Sequence, residues 1–230
     1  MASKRTVFLT GGATGIGRAT AERLARDGDR VVVMDRNADA LAELARAMAT
    51  GGLDVRAETV DVRDRAAMAR VLDSEPRVDA AIAVAGVYRS QPFEELSSED
   101  FLRTLEVNLL AVFAFAQEAA RRMQANGRIV VVSSRGALGM HRAADYVASK
   151  AGVVGLVRAM ALDLRPRQIA VNSVAPGFTD TPMTRSMPKD LYAAAAALEP
   201  SGAAASPDDI ANAIAFLASA DTRFITGQTL

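Results

Sequence analysis

An α/β fold built on a doubly wound parallel β-sheet is what this sequence predicts, and three observations predict it. Short β-branched runs alternate with longer stretches rich in Ala, Leu and Arg along the chain. Most of those runs lack the alternation of a half-exposed strand, as expected where helices cover both faces of a parallel sheet. The first run also passes straight into a glycine-rich turn and then a helix, the opening of a βαβ unit.

The elements follow in order. TVFLT (Thr6–Thr10) is the first strand, and TGGATGIGRAT leads from it into a helix over Gly15–Asp27. Gly11, Gly15 and Gly17, with Thr14 and Ile16 in the same turn, let the backbone approach a pyrophosphate while the helix N-terminus supplies N–H groups. RVVVMD (Arg30–Asp35) is the second strand, followed by a helix over Ala38–Thr50. Asp35 ends that strand about twenty residues past the glycines, where a carboxylate can accept both ribose hydroxyls and repel a 2′-phosphate. The expected cofactor is therefore NAD rather than NADP, although Arg36 next door could pair with that phosphate.

The third strand, Val55–Val60, is followed by Asp61 and Val62 and a helix over Arg63–Ser74. Asp61 reads either as an adenine contact or as a cap for that helix. Strands over Ala80–Gly86, Arg128–Ser134 and Ile169–Ala175 complete the sheet, with helices over Ser98–Met123, Asp145–Leu164 and Pro207–Ala218. Ser98 is the expected cap of its helix, whose first turn holds Glu99 and Asp100, and Pro166 stops the helix before it. Ala193–Ser206 is the one biased segment, a helix and loop or a flap.

Composition narrows the function. The 230 residues are half apolar, which suits one domain spanning 1–230 with a full core. Lys and Arg together number 27, as do Asp and Glu, with no basic tail, so a small ligand is expected rather than nucleic acid or a membrane surface. There is no cysteine and a single histidine, His141, which argues against disulfides and metal. The chain opens without a signal-type apolar region and contains no apolar run of spanning length, and a cytoplasmic location is expected.

The stretch YVASK places Tyr146 and Lys150 on one helix face, a turn apart. A free phenol has a pKa near ~10 and is a reluctant base at neutral pH. A neighbouring ammonium favours phenolate, and so does an oxidised nicotinamide ring, more strongly in a dry cleft. A phenol so tuned can take a proton from an alcohol as hydride leaves its carbon, or return one to a ketone. Ser133, thirteen residues before Tyr146 at a strand end, is the expected hydroxyl donor to the substrate oxygen.

In these motifs the chain resembles the short-chain dehydrogenase/reductases of the single-domain, 3-oxoacyl reductase-like type, which have a Rossmann fold. TGGATGIG, DV, SSRGALG, YVASK and VNSVAPGFTDTPM occur in family order. The resemblance implies that Ser133 polarises the substrate oxygen, Tyr146 is the acid/base, and Lys150 tunes it and holds the nicotinamide ribose. It implies that Asn108, in LEVNLLAVF, holds a relay water through its backbone. Pro176, Gly177, Thr179 and Thr181 match the segment around the carboxamide. Ser133 rather than Ser134 is favoured because it lies three residues before Gly136 as well as thirteen before Tyr146. The family's Asn-Asn-Ala-Gly is here Ala83-Val84-Ala85-Gly86, which keeps backbone contacts but loses both amides, and the sequence ends at FITGQTL where relatives run on.

The expected function is reversible hydride transfer between NAD(H) and a secondary alcohol or ketone. An NADPH-dependent 3-oxoacyl-thioester reductase and a non-catalytic dinucleotide sensor are the alternatives. The substrate side is expected from Val87–Phe93, Arg135–Asp145 and Thr184–Ala205. Arg89, Arg135, His141 and Arg142 read there as solvated loop charges ahead of an anion site. The helix over Val147–Leu164 is apolar nearly all round, so contact between subunits through it and the Phe101–Met123 stretch, in a dimer or tetramer, is expected.

Overall fold

The computed structural model describes residues 4–230. Met1–Ser3, the start of the N-terminal segment judged above to carry no leader, lie outside the described residues. In chain order the elements are β1 (Thr6–Thr10), α1 (Gly15–Arg26), β2 (Arg30–Asp35), α2 (Ala38–Thr50), β3 (Val55–Thr59), α3 (Arg65–Asp73), β4 (Val78–Ala83), α4 (Ser98–Leu105), α5 (Ala111–Arg122), β5 (Met123–Val132), α6 (Ala144–Leu164), β6 (Ala170–Val174), α7 (Pro182–Arg185), α8 (Lys189–Ala197) and α9 (Pro207–Ala218). The strands form one parallel sheet in the order β3-β2-β1-β4-β5-β6. The winding reverses between β1 and β4, and the turns that leave those two strands diverge at the sheet's carboxyl edge.

Both faces of the sheet are covered, which is why its strands do not alternate. Val7 and Leu9 of β1 face the layer of α1, α2 and α9, whereas Phe8 between them faces α3, α5 and α6. Such side chains contribute roughly 1.5–3 kcal/mol each on full burial, so the central strands are the rigid base of the site. Residues 227–230 run beside β6, where Ser173 N–H donates to Gln228 O at 2.8 Å and Leu230 N–H to Ser173 O at 3.0 Å. The FITGQTL end thus adds a short parallel rung to the sheet.

The structure moves several expected boundaries. Ser97, not Ser98, caps α4, its Oγ accepting from Asp100 N–H at 3.1 Å. Asp64, not Asp61, caps α3 by accepting from Ala67 N–H at 2.9 Å. The expected strand to Gly86 ends at Ala83, because Val84 and Ala85 both turn their N–H groups onto Thr10 O. The stretch Ser98–Met123 is not one regular helix. A π-helical turn over Glu106–Leu110 separates α4 from α5, and Asn108 lies at its centre, fully buried. Such a turn is tolerated where a side chain gains partners from the altered geometry, and it is common at functional sites.

Candidate active site

The turn after β1 passes so close to its neighbours that side chains are excluded from it. Gly11 has φ +72°, and a Cβ there would lie 2.5 Å from the Ala85 backbone. A Cβ on Gly17 would stand 2.0 Å from Gly11 O. Thr14 has extended backbone at the start of α1 and makes no side-chain capping bond, so the first N–H groups, those of Gly15, Ile16 and Gly17, lack intrahelical partners. Opposite them, Thr181 Cγ2 is 3.3 Å from the position a Cβ on Gly15 would take. A bare helix N-terminus in a turn without side chains fits a pyrophosphate.

Asp35 is tied to this turn. Its Oδ2 accepts from Ala13 N–H at 3.1 Å and its Oδ1 from Asn37 N–H at 3.0 Å, which fixes the carboxylate beside the glycines. Arg36 is exposed. Asp61 accepts from Arg63 N–H at 2.9 Å and pairs with its guanidinium at 2.6 Å; that hydrogen bond, with Arg36 adding a smaller charge effect, holds its carboxyl down at about 2. Val62 and Ala85 line a small recess with Thr10 and Val107. These residues follow β2, β3 and β4 along one edge, as a dinucleotide groove requires.

At the ends of β4 and β5 lies the polar cluster. Lys150 is 3% exposed, and its Nζ donates to Val132 O at 2.8 Å and stands 5.8 Å from the centre of the Tyr146 ring. Burial lowers the Lys150 ammonium to about 8. Asn108 clasps the backbone of Val87 from both sides, Oδ1 accepting its N–H at 2.8 Å and Nδ2 donating to its carbonyl at 2.9 Å. Nδ2 also donates to Ser149 Oγ at 3.1 Å, and Ser149 donates in turn to Tyr146 O at 2.7 Å. One amide therefore joins the strand β4 exit to the helix carrying the tyrosine, a support that does not need the missing asparagines. A Cβ on Gly86 would lie 3.3 Å from Asn108 Oδ1, a tight approach, and in ordinary contact, 3.5 Å, with Lys150 Nζ.

Ser133 does not face the Tyr146 phenol as expected. Its hydroxyl is 2% exposed and donates into the helix, to Lys150 O at 2.9 Å. The serine hydroxyl on the Tyr146 side is that of Ser134, which accepts from Gly136 N–H at 3.0 Å; a Cβ on Gly136 would stand 3.2 Å from it and 3.4 Å from the Tyr146 ring. Alternation at the end of β5 is the reason, because consecutive side chains leave a strand on opposite faces. The spacing to Tyr146 and Gly136 did not register which face each serine takes.

Tyr146 itself is pushed up by burial, with the Ser134 hydrogen bond pulling it down and Tyr88 pushing it up by smaller amounts. The Lys150 ammonium is directed at the Val132 carbonyl, and burial is the larger influence on the phenol. Tyr88 packs edge-on against the Tyr146 ring with centroids 5.2 Å apart.

Pro176 to Thr181 lead from β6 towards the glycine turn. Arg135 N–H donates to Pro176 O at 2.9 Å, joining this loop to the turn that follows Ser134. Thr179 is buried and its hydroxyl bonds Gly177 O at 3.2 Å, while Thr181 caps α7 with Thr184. The Ala193–Ser206 segment starts within α8 and then turns back, Ala205 pairing with Thr179. The loop arginines do not gather. Arg89 pairs with Asp100 at 3.3 Å, Arg135 with Glu199 at 2.7 Å, and Arg142 reaches Ser90 at 3.4 Å. Ser134 and Ser149 are additions to the expected site, and Tyr88 and Glu199 are the members of the expected Val87–Phe93 and Thr184–Ala205 segments that make contacts there. Ser149 lies within YVASK, and Ser134 was the rejected half of the serine pair, whereas Glu199 gives no motif signal.

Among the described residues no three metal-ligating side chains come together, and no helix is long and apolar enough to cross a membrane.

Comparison with known proteins agrees with this geometry. A family model described as Enoyl-(Acyl carrier protein) reductase matches residues 11–230. The cis-4-hydroxycyclohexanecarboxylate dehydrogenase of Sinomonas cyclohexanicum is 38% identical, over 99% of this chain and 94% of its own. The 3-oxoacyl-[acyl-carrier-protein] reductase FabG of Thermotoga maritima is 36% identical, over 98% and 95%. The crystal structure of a point variant of actinorhodin polyketide ketoreductase with NADPH superposes with a TM-score of 0.92 at 30% identity, over 100% of this chain and 97% of that one. The sensor alternative finds no support in these enzymes. With the matched length, the parallel sheet and the glycine turn in agreement, the chain belongs to the short-chain dehydrogenase/reductase family of nicotinamide-dependent oxidoreductases.

Proposed function

We propose that this enzyme interconverts a secondary alcohol and a ketone with Tyr146 as acid/base and Ser134, rather than Ser133, as the donor to the substrate oxygen. The single observation that carries the assignment is the side each serine takes: the Ser134 hydroxyl and the Tyr146 ring flank Gly136 together, 3.2 and 3.4 Å from where a Cβ would stand, whereas Ser133 is bonded to Lys150 O. A bound nicotinamide supplies or accepts the hydride. In the oxidising direction Tyr146 takes the hydroxyl proton as the carbinol carbon gives up its hydrogen with both electrons, leaving a ketone. In the reducing direction the same phenol returns the proton to the forming alkoxide.

Ser134 holds that oxygen within reach of the phenol, and its hydrogen bond favours phenolate against the cost of burial. Lys150 is the second cation, placed to hold the nicotinamide ribose and favour phenolate. Asn108 fixes the groove wall at Val87, and its backbone is the proposed hold for a relay water. Gly11, Thr14, Gly15, Ile16 and Gly17 cradle the pyrophosphate, Asp61, Val62, Ala85 and Gly86 border the adenosine half, and Pro176, Gly177, Thr179 and Thr181 border the carboxamide.

For the ribose, the reading is NAD. Asp35 is anchored by two backbone N–H groups where a 2′-phosphate would stand, and two fixed negative charges a few ångströms apart repel. The second reading, NADPH-dependent reduction of a 3-oxoacyl thioester, is favoured by the FabG relative and by the NADPH in the similar ketoreductase structure. Arg36 is the residue that would serve it. We further read the chain as one domain, acting in the cytoplasm as a dimer or tetramer through α6, on which Gly155 and Leu162 are exposed, and the Phe101–Met123 stretch.

A screen of secondary alcohols with NAD and NADP, and of ketones and 3-oxoacyl thioesters with their reduced forms, read by nicotinamide absorbance, tests the proposal. Turnover of alcohols with NAD preferred supports it. Turnover confined to thioesters with NADPH moves the assignment to the second reading, and binding without turnover across the panel refutes both.

A further inference from the structure

We propose that Glu199 is a positioning residue whose carboxylate latches the flap to the catalytic turn and to the loop that borders the nicotinamide. The inference rests on the reading of Pro176–Thr181 as that loop.

Glu199 follows α8 in an Ala-rich segment, and it is the only charged residue between Leu191 and Ser206. An isolated acid in such a stretch would ordinarily face water. Its side chain is instead 11% exposed. Oε1 accepts from Phe178 N–H at 3.0 Å and receives the Arg135 guanidinium at 2.7 Å. Oε2 packs on Gly177, where a Cβ would come within 2.7 Å. Enclosing a carboxylate in this way is unfavourable unless it is paired, so the two donors hold this part of the flap against the loop, beside the Phe178–Tyr192 ring contact.

Three segments far apart in sequence meet at this group. Arg135 directly follows Ser134, and its own N–H holds Pro176 O at 2.9 Å, so one residue reaches the nicotinamide loop by its backbone and the flap by its side chain. The far end of the flap is strapped separately, Ala205 N–H donating to Phe178 O and Asp180 N–H to Ala205 O, each at 2.9 Å. Glu199 therefore holds the near end, and it shares in placing Gly177 and Phe178. Cofactor retention and flap motion are coupled through it.

The test compares Glu199→Gln, which keeps the shape and one acceptor, and Arg135→Met, which keeps the stem, with wild type and with the double variant. Two readouts are followed: hydrogen exchange of residues 177–205 without cofactor, and the Kd for NADH and NADPH by fluorescence, with KM and kcat beside them. Each single variant is expected to speed exchange in the segment and raise the Kd of the preferred dinucleotide roughly tenfold, the scale of one charge-assisted hydrogen bond. At saturating cofactor kcat changes less than about threefold, and the double variant is no worse than either single one. Unchanged exchange overturns the latch, and faster exchange with unaltered Kd and KM overturns the coupling. If wild type itself binds neither dinucleotide, the cofactor reading fails, and exchange alone then decides the latch.

Discussion

Replacing each of the two adjacent serines by alanine separates catalysis from packing. In Ser134→Ala the phenol and the substrate oxygen both lose a hydroxyl partner. Removing one such preorganised donor costs roughly 10²–10³ in kcat, or about 2.7–4 kcal/mol of transition-state stabilisation. The same change at Ser133 removes a buried bond to Lys150 O, a carbonyl inside helix α6. The net loss there is about 1 kcal/mol of stability. For a chain of this size that lowers Tm by roughly 2–4 °C, with kcat little changed. The assay is initial rate on the best alcohol from the screen, beside a thermal melt of each variant. A Ser133→Ala enzyme that loses a hundredfold in rate while Ser134→Ala works normally would refute the geometric argument and restore the assignment made from spacing.

Other outcomes follow from the same geometry. Asp35→Ala removes the fixed charge at the ribose and should cut the preference for NAD over NADP in kcat/KM by about tenfold or more, the order of one close like-charge repulsion; an unaltered ratio would mean the carboxylate does not face the ribose. Burial lowers Lys150 from 10.5 to about 8, so between those values the unfolded chain holds the extra proton and stability rises with pH. Denaturant unfolding of cofactor-free wild type should therefore gain on Lys150→Met by up to about 1.4 kcal/mol per pH unit across that window; a flat or falling difference would contradict the buried ammonium. Light scattering at micromolar protein should report a dimer or tetramer, and monomer alone would remove the α6 contact.

Periodicity and punctuation were enough for the architecture. β1, β2, α2 and α9 have their expected limits, because a strand buried on both faces and a helix with a clean start leave little choice of boundary. Legibility failed where tertiary contacts decide. The Ala80–Gly86 run reads as strand to its end, yet Thr10 O captures two successive N–H groups and turns the chain. No local pattern distinguishes a π-turn from an α-helix, since Asn108 earns its place through Val87, a residue twenty-one positions away. The serine pair shows the limit most clearly: spacing pointed to Ser133, but side-chain direction at a strand end turns its hydroxyl onto Lys150 O and leaves Ser134 on the Tyr146 side. Glu199 falls inside the expected flap, but its role is not legible there because its partners, Arg135 and Phe178, come from other segments.

The central claim is that the Tyr146 phenol exchanges the proton when hydride moves, and Tyr146→Phe measures it most directly because the ring stays and only the hydroxyl goes. Turnover should fall at least ~10³-fold, within the range for loss of a general acid/base, while the Kd for the dinucleotide changes little. A phenylalanine enzyme that turns over at the wild-type rate, with its cofactor bound as before, would contradict the account.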